Sequence, residues 1–218
     1  MKQRIFAKLA ICVLVVLSVS SAFAFQGPQP FSADSSTTST KGDVHMTGKI
    51  YVAMPRMRMD TNSAVAGKEH AAGPLGGNTI MIIDATTKTM YMLMPQQHMY
   101  MEFHTDQNSA MSQRTPRWQD LVSAGDPCAG HAGATCKKVG TETVNGRSCE
   151  KWEMMDKNSK TTTMWLDQKL HFPIKTVTAE GMTMEYTNVK EGNQDASLFQ
   201  VPAGYQKMDM SNMGKPPR

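Results

Sequence analysis

The side chains with chemistry to offer in this sequence are mostly sulfur side chains. The chain of 218 residues carries 20 methionines and four cysteines, against six histidines. The methionines crowd between Thr79 and His104, as Met81, Met90, Met92, Met94, Met99 and Met101. A thioether does two things well. It is an unbranched, polarizable apolar group that re-packs around irregular shapes, and it is a soft ligand that selects Cu(I). Two further groups invite the metal reading, Met54, Met57 and Met59, and Met208, Met210 and Met213 with Met-x-Met-x-x-Met spacing. Against it, His98 and His104 fall on the opposite strand face from Met99 and Met101, so no mixed His/Met site is assigned.

The cysteines point to redox state, not to catalysis. Three remain beyond the N-terminal segment: Cys128, Cys136 and Cys149. In the hairpin register set by Asn145-Gly146, Cys149 faces Glu142, six residues along the strand from Cys136. At about 3.3 Å per residue that is near 20 Å, beyond disulfide reach. Cys128 and Cys136, joined by a Gly/Ala-rich loop, are the expected bridge, with Cys149 free and packed. Cys128, His131 and Cys136 match no recurrent zinc spacing. No Gly-x-Ser-x-Gly elbow, phosphate loop, dinucleotide fingerprint or His-Glu-x-x-His helix is present. The expectation is a non-enzyme with no cofactor.

The elements that hold these side chains read as strands. Side chains alternate along a strand, so Met90, Met92 and Met94 share one face, and Tyr91 and Leu93 the other. Met99, Met101 and Phe103 make a second row; Met57 and Met59 lie opposite Arg56, Arg58 and Asp60. Asp43 to Met54 alternates, and Pro55 interrupts it. Phe31 to Thr40, rich in Ser and Thr, reads as an edge strand. Asn145-Gly146 is a two-residue hairpin signal, expected to pair Val139 with Trp152 and Lys138 with Glu153. Further strands follow at intervals of about 8 to 12 residues, as in a meandering antiparallel sheet. Ala64 to Asn78 is a loop. Thr115 to Ala124 is the one good helix, with Pro116 at its first position and Trp118, Leu121 and Val122 on one side. About ten or eleven strands in one open sheet must curl, and a curled sheet has a concave face.

Targeting sets the compartment. Lys2, Arg4 and Lys8, an apolar run from Leu9 to Val19 and Ala22-Phe23-Ala24 form a signal peptide over residues 1–24. That leader holds three basic residues and no acidic one, so the net charge falls from +4 to +1 without it. The basicity belongs largely to the leader, and nothing argues for nucleic acid. The expected product is periplasmic and soluble, with one domain over residues 25–206 and a disordered methionine-containing tail over 207–218.

Three segments carry a family resemblance. Gly48-Lys49-Ile50-Tyr51-Val52-Ala53-Met54-Pro55-Arg56-Met57-Arg58 resembles the strand-Pro-strand segment of the LolA/LolB-like superfamily of outer-membrane lipoprotein carriers. Ile80-Met81-Ile82-Ile83-Asp84 with Thr89-Met90-Tyr91-Met92-Leu93-Met94-Pro95 resembles its next hairpin. Leu198-Phe199-Gln200-Val201-Pro202-Ala203-Gly204-Tyr205 resembles its closing segment. LolA carries an arginine before the proline of the first motif, where this chain has Met54. The resemblance, to an exported relative and not to LolA itself, implies a mainly β fold: an open half-barrel of about 10–11 antiparallel strands with short helices over its concave face.

The expectation is a monomeric exported protein that holds a lipid, acyl chain or other hydrophobic ligand in a methionine-rich cavity, with a membrane-associated protein as a further partner. The residues assigned to ligand binding are Met57, Met59, Met81, Ile83, Met90, Met92, Met94, Met99, Met101, Phe103, Met182 and Met184, with Trp118 and Leu121 as a lid. Three alternatives stay open: a periplasmic Cu(I)-binding protein, a protein-docking or stress-sensing module on the same fold, and methionines that merely fill a core.

Overall fold

The computed structural model describes residues 28–40, 45–64, 78–104 and 133–208, and within them nearly everything is strand. The strands are β1 (Phe31–Ser39), β2 (His45–Ala53), β3 (Arg56–Ala64), β4 (Asn78–Asp84), β5 (Thr89–Met94), β6 (Met99–His104), β7 (Thr135–Val144), β8 (Arg147–Met155), β9 (Thr161–Asp167), β10 (Phe172–Val177), β11 (Met182–Glu191) and β12 (Gln206–Lys207). They form one open sheet in the order β12-β6-β5-β4-β3-β2-β1-β11-β10-β9-β8-β7. All pairs are antiparallel except β12, which lies parallel against the edge of β6. The expected curved, unclosed antiparallel sheet is what the chain forms, with twelve strands when the two-residue β12 is included.

Local chemistry sets most of the turns. Asp84 Oδ1 accepts from the backbone N–H of Thr86 at 2.8 Å and closes the β4–β5 turn. Asp156 accepts from the N–H groups of Asn158 and Lys160 between β8 and β9. Asn145 and Gly146 both have positive φ, 51° and 76°, the conformation a two-residue hairpin turn needs.

The first strand departs from expectation. β1 is not an edge; it is central, bonded to β2 on one side and β11 on the other. Its polar composition suggested solvent, yet Phe31, Ala33 and Thr37 are buried. The pairing of β1 with β11 spans about 150 residues of sequence, and no local pattern encodes it. The β7–β8 register also shifts. Lys138 opposes Trp152 and Lys137 opposes Glu153, because a bulge inserts Val139 between Lys138 and Gly140. The Lys138 ammonium pairs with Glu150 instead. Cys149 does oppose Glu142, as expected. The predicted helix over Thr115 to Ala124, the loop around His70, the leader and the tail beyond Met208 lie outside the described residues.

The sheet curls strongly. In a flat sheet β8 and β11 stand three spacings apart, about 14 Å at about 4.8 Å each. Yet Asn145, in the turn that leads into β8, donates its Nδ2 to Glu185 Oε1 at 3.0 Å and to the Tyr186 carbonyl at 3.1 Å, both on β11. The hairpin end therefore folds over the sheet. Bulges on β11 at Asn188–Val189, opposite Ala33, and at Val139 and Ile174 contribute local bends. Gly48 permits a close approach of β2 and β3: a Cβ there would lie 1.8 Å from the Asp60 carbonyl oxygen.

Each side of the sheet has its own core. The concave side gathers Phe31, Ile50, Val52, Met57, Cys149, Trp165, Leu170, Phe172, Ile174 and Tyr186, with Phe172 edge-on to both Phe31 and Tyr186. Fully buried side chains of this size contribute about 1.5–3 kcal/mol each. The outer side gathers Ile82, Leu93 and Phe199, with Tyr51, Tyr91, Tyr100 and Tyr205 around them. Phe199 belongs to a short helical turn, Ala196–Phe199, started by Asp195, whose side chain accepts from the Ser197 N–H.

Candidate functional site

Strand register decides whether the methionines meet. Directly opposed residues share a sheet face, with Cβ atoms about 4.5–5.5 Å apart. Ile50 opposes Met59, Met59 opposes Met81, Met81 opposes Met92, and Met92 opposes Met101. One row thus crosses β2 to β6 with four methionines in succession. Two residues along, Val52, Met57, Ile83, Met90 and Phe103 form a second row, and Met94 opposes Met99. Met57 and Ile83 belong to or pack on the concave-side core, so these rows lie on the concave face.

The wall is graded in exposure. Met57, Met90, Met94 and Met101 are buried, while Met59, Met81, Ile83, Met92, Met99 and Phe103 are half-buried. The inward positions between them hold Gly48, Thr61 and Thr79. No ionisable side chain is among these described inward positions of β2 to β6. Such a wall has nothing to move a proton with and nothing to anchor a hard cation. The charged residues of the same strands face outward: Arg58 pairs with Asp60 at 2.6 Å and donates to the Leu198 carbonyl, and Lys207 pairs with Glu102. Outward-facing Tyr91 has its pKa raised by desolvation first and by Glu102 second.

Met182 and Met184 are placed differently. Both lie on β11 and are exposed, 36% each. Register nevertheless joins Met184 to a row that sequence reasoning missed: Met46, Thr37, Met184, Thr176, Met164 and Trp152 are successive opposed neighbours across β2, β1, β11, β10, β9 and β8. Met46 and Ile50 are four residues apart on β2, so the two methionine rows meet on one side of that strand, while on β9 Met164 alternates with the core residue Trp165. The signal was present as the alternation of Met46, Gly48 and Ile50 and as Trp152-x-Met154. Linking them required the β1–β11 pairing. Trp118 and Leu121, the expected lid, lie outside the described residues.

Beside the wall, the chain buries a thiol and a carboxylate. Cys149 is free and inaccessible, and burial first, then the Asp167 charge, pushes its thiol up to about 11. Burial also raises the Tyr186 phenol, whose hydroxyl donates to Met184 Sδ at 3.3 Å. Asp167, 1% exposed, accepts from Arg147 and from the N–H groups of Lys169 and Leu170. Arg147 reaches on to Glu191 at 2.9 Å. Every donor and acceptor here has a structural partner, so the cluster reads as a brace for the β8 end. Cys136 is disulfide-bonded; Cys128, its expected partner, lies outside the described residues. A polar cleft of about 360 Å³ opens between Ser32, Asp34, Lys49, Asn188 and Lys190 and does not touch the methionine rows.

A family model described as a domain of unknown function, DUF4412, matches residues 35–171 and 167–205, most of the chain. The chain belongs to the DUF4412 family. No curated protein matches this DUF4412 chain. Among solved structures, an uncharacterized conserved protein from Thermus thermophilus is 11% identical with a TM-score of 0.51, over 83% of this chain and 90% of that one. A chain of the Pseudomonas aeruginosa MucA/MucB complex is 14% identical with a TM-score of 0.50. The match takes in 83% of the DUF4412 chain and 57% of the other, so this chain spans little more than half the length of that relative. At this identity the likeness establishes the architecture that the three motifs implied, and nothing finer.

Proposed function

We propose that this protein is an exported, non-enzymatic binding module that shelters a flexible apolar chain, such as an acyl chain, against the methionine rows of its concave face. The observation that carries this is the uninterrupted register Met59–Met81–Met92–Met101, bordered by Met57, Met90, Met94 and Phe103 on a wall without charge. Unbranched thioethers adapt to variable apolar shapes. Burying about a dozen methylenes at about 0.8 kcal/mol each gives a gross gain near 10 kcal/mol, before the costs of association and ordering. No specific polar contact is then required.

Native mass spectrometry of the protein purified from its own compartment tests the proposal. The expected result is a lipid adduct that disappears on solvent extraction, after which a fluorescent fatty acid binds and is displaced by unlabelled fatty acid. A bare chain that also fails to bind the fluorescent fatty acid overturns it.

A second reading is favoured by a different observation. Met155, Met182, Met184 and Val139 are exposed on the β7-to-β11 half of the sheet, and one fold neighbour was solved as a protein complex, MucA/MucB. On this reading the same fold docks a partner protein, and the native spectrum contains a protein:protein species in place of a lipid adduct.

A further inference from the structure

We propose that Met59, Met81, Met92 and Met101 form a thioether site for a single Cu(I) ion. The proposal is independent of the apolar-ligand reading: one needs only that the wall be greasy, the other needs its sulfur.

The observation is one of register. Four methionines stand directly opposite one another on four consecutive strands, at one height of the sheet. Opposed Cβ atoms lie about 4.5–5.5 Å apart, and each methionine has three rotatable bonds beyond its Cα. Three sulfurs from adjacent strands can therefore converge on one point above the sheet with no movement of the backbone. Apolarity alone does not call for this arrangement. Leucine or isoleucine would fill a wall at these positions with better-defined rotamers, as Ile82 and Leu93 do on the opposite face of the same strands.

The donor set selects the metal. Thioether sulfur is soft and uncharged and favours Cu(I), whereas zinc favours thiolate and imidazole, and calcium and magnesium require oxygen. Among the described residues no three His, Cys, Asp or Glu side chains come together as an alternative cage. Met59, Met81 and Met92 are half-buried, so an ion can reach them, and Met101 is buried at the β6 end of the row. The cluster differs from the two that the sequence suggested. Met57 is buried in the concave-side core, against which Met59 is only partly buried, and the tail methionines beyond Met208 belong to another part of the chain.

The test is competition for Cu(I) under ascorbate against bicinchoninate, with the full exported chain and the metal as the only probe. The expected result is withdrawal of one equivalent of Cu(I), with a sulfur-only first shell by X-ray absorption. Met81→Leu/Met92→Leu should weaken uptake by about tenfold or more. It should leave the far-ultraviolet circular dichroism and the urea midpoint in place, because the swap conserves volume. Met208→Leu/Met210→Leu/Met213→Leu should leave uptake unchanged. Uptake that survives the leucine pair, or a nitrogen-containing first shell, overturns the assignment. So does failure of the wild-type protein to compete. Should the double variant unfold, Met92→Leu alone decides between the same outcomes. Wild-type protein that withdraws Cu(I) into a sulfur-only shell yet binds no fatty acid would support this assignment and count against the apolar-ligand reading.

Discussion

Strands β3 to β6 show two apolar faces built from different materials. On the outer face Ile80, Ile82, Tyr91, Leu93 and Tyr100 meet Leu198, Phe199, Val201 and Tyr205 from the chain's own last segment. Those side chains are branched or aromatic, and the rings interlock: Tyr91 lies edge-on to Tyr100, and Tyr205 stacks on His98. Arg56 sits 5.1 Å over the Phe199 ring, and Arg58 ties the strap through the Leu198 carbonyl. On the concave face the same strands present thioethers. A surface destined to meet one fixed partner, its own chain, is made of stiff shapes. The face across the sheet is made of pliable ones. The difference teaches that along β3 to β6 methionine is not a general-purpose core residue; it is confined to one side.

The concave side has a strap as well, but it is polar. Asn145 and Arg147, at the β7–β8 turn, reach across to β11, and Arg147 also holds Asp167. The two straps should fail differently. Phe199→Ala is expected to have the largest effect, a loss of about 4 kcal/mol by urea unfolding, since it removes a buried aromatic ring and leaves a cavity. Fatty-acid binding per folded molecule should be retained. A variant that loses binding in proportion to stability would break the comparison, because the two faces would then be one unit.

Arg147→Met should cost somewhat less, about 3 kcal/mol, by leaving the Asp167 carboxylate buried without its counter-charge. Here hydrogen exchange should accelerate first in β8 and β9, and β3 to β6 should keep their protection. Equal loss of protection across both halves would show that the polar strap serves the whole sheet.

The smallest effect concerns Cys149, which packs beneath that strap. Its thiol is raised from an ordinary value near 9 to about 11. A raised acid favours its protonated form in the folded state, so its contribution to stability is complete below about pH 9. It declines as pH rises through about 11. Urea midpoints measured from pH 8 to pH 11 should fall more steeply for the native protein than for Cys149→Ala. At neutral pH the thiol should resist alkylation until the chain unfolds.

Much of this was legible in the sequence, and the reasons are specific. The alternation of Met90 to Met94 and of Met99 to Phe103 reports the strand period directly, and Asn145-Gly146 announces its own turn. The Cys149–Glu142 pairing followed from counting outward from that turn and survived because the bulge at Val139 lies beyond it. The Val139–Trp152 pair, counted past the bulge, did not survive. The outer core was encoded as well. Ile80-Met81-Ile82-Ile83 is apolar at every position, which signals a strand covered on both faces, yet no alternation says by what. Phe199 lies about 100 residues from Leu93, and β11 about 150 from β1. Contacts of that range are set by the order in which strands are added to the sheet, and that order leaves no local trace. The exposed placement of Met184 and its link to Met46 and Met164 depended on the same order.

A wall of thioethers also has a chemistry that a wall of leucines would lack. Peroxide or hypochlorite converts each methionine it reaches into a polar, chiral sulfoxide. The gradient of exposure then becomes a sequence of damage: Met155, Met182 and Met184 are converted first, Met59, Met81 and Met92 later, and Met90 and Met101 last. The protein's greasiest surface is thus perishable in an oxidising setting, and its upkeep falls to whatever sulfoxide reductase shares its compartment.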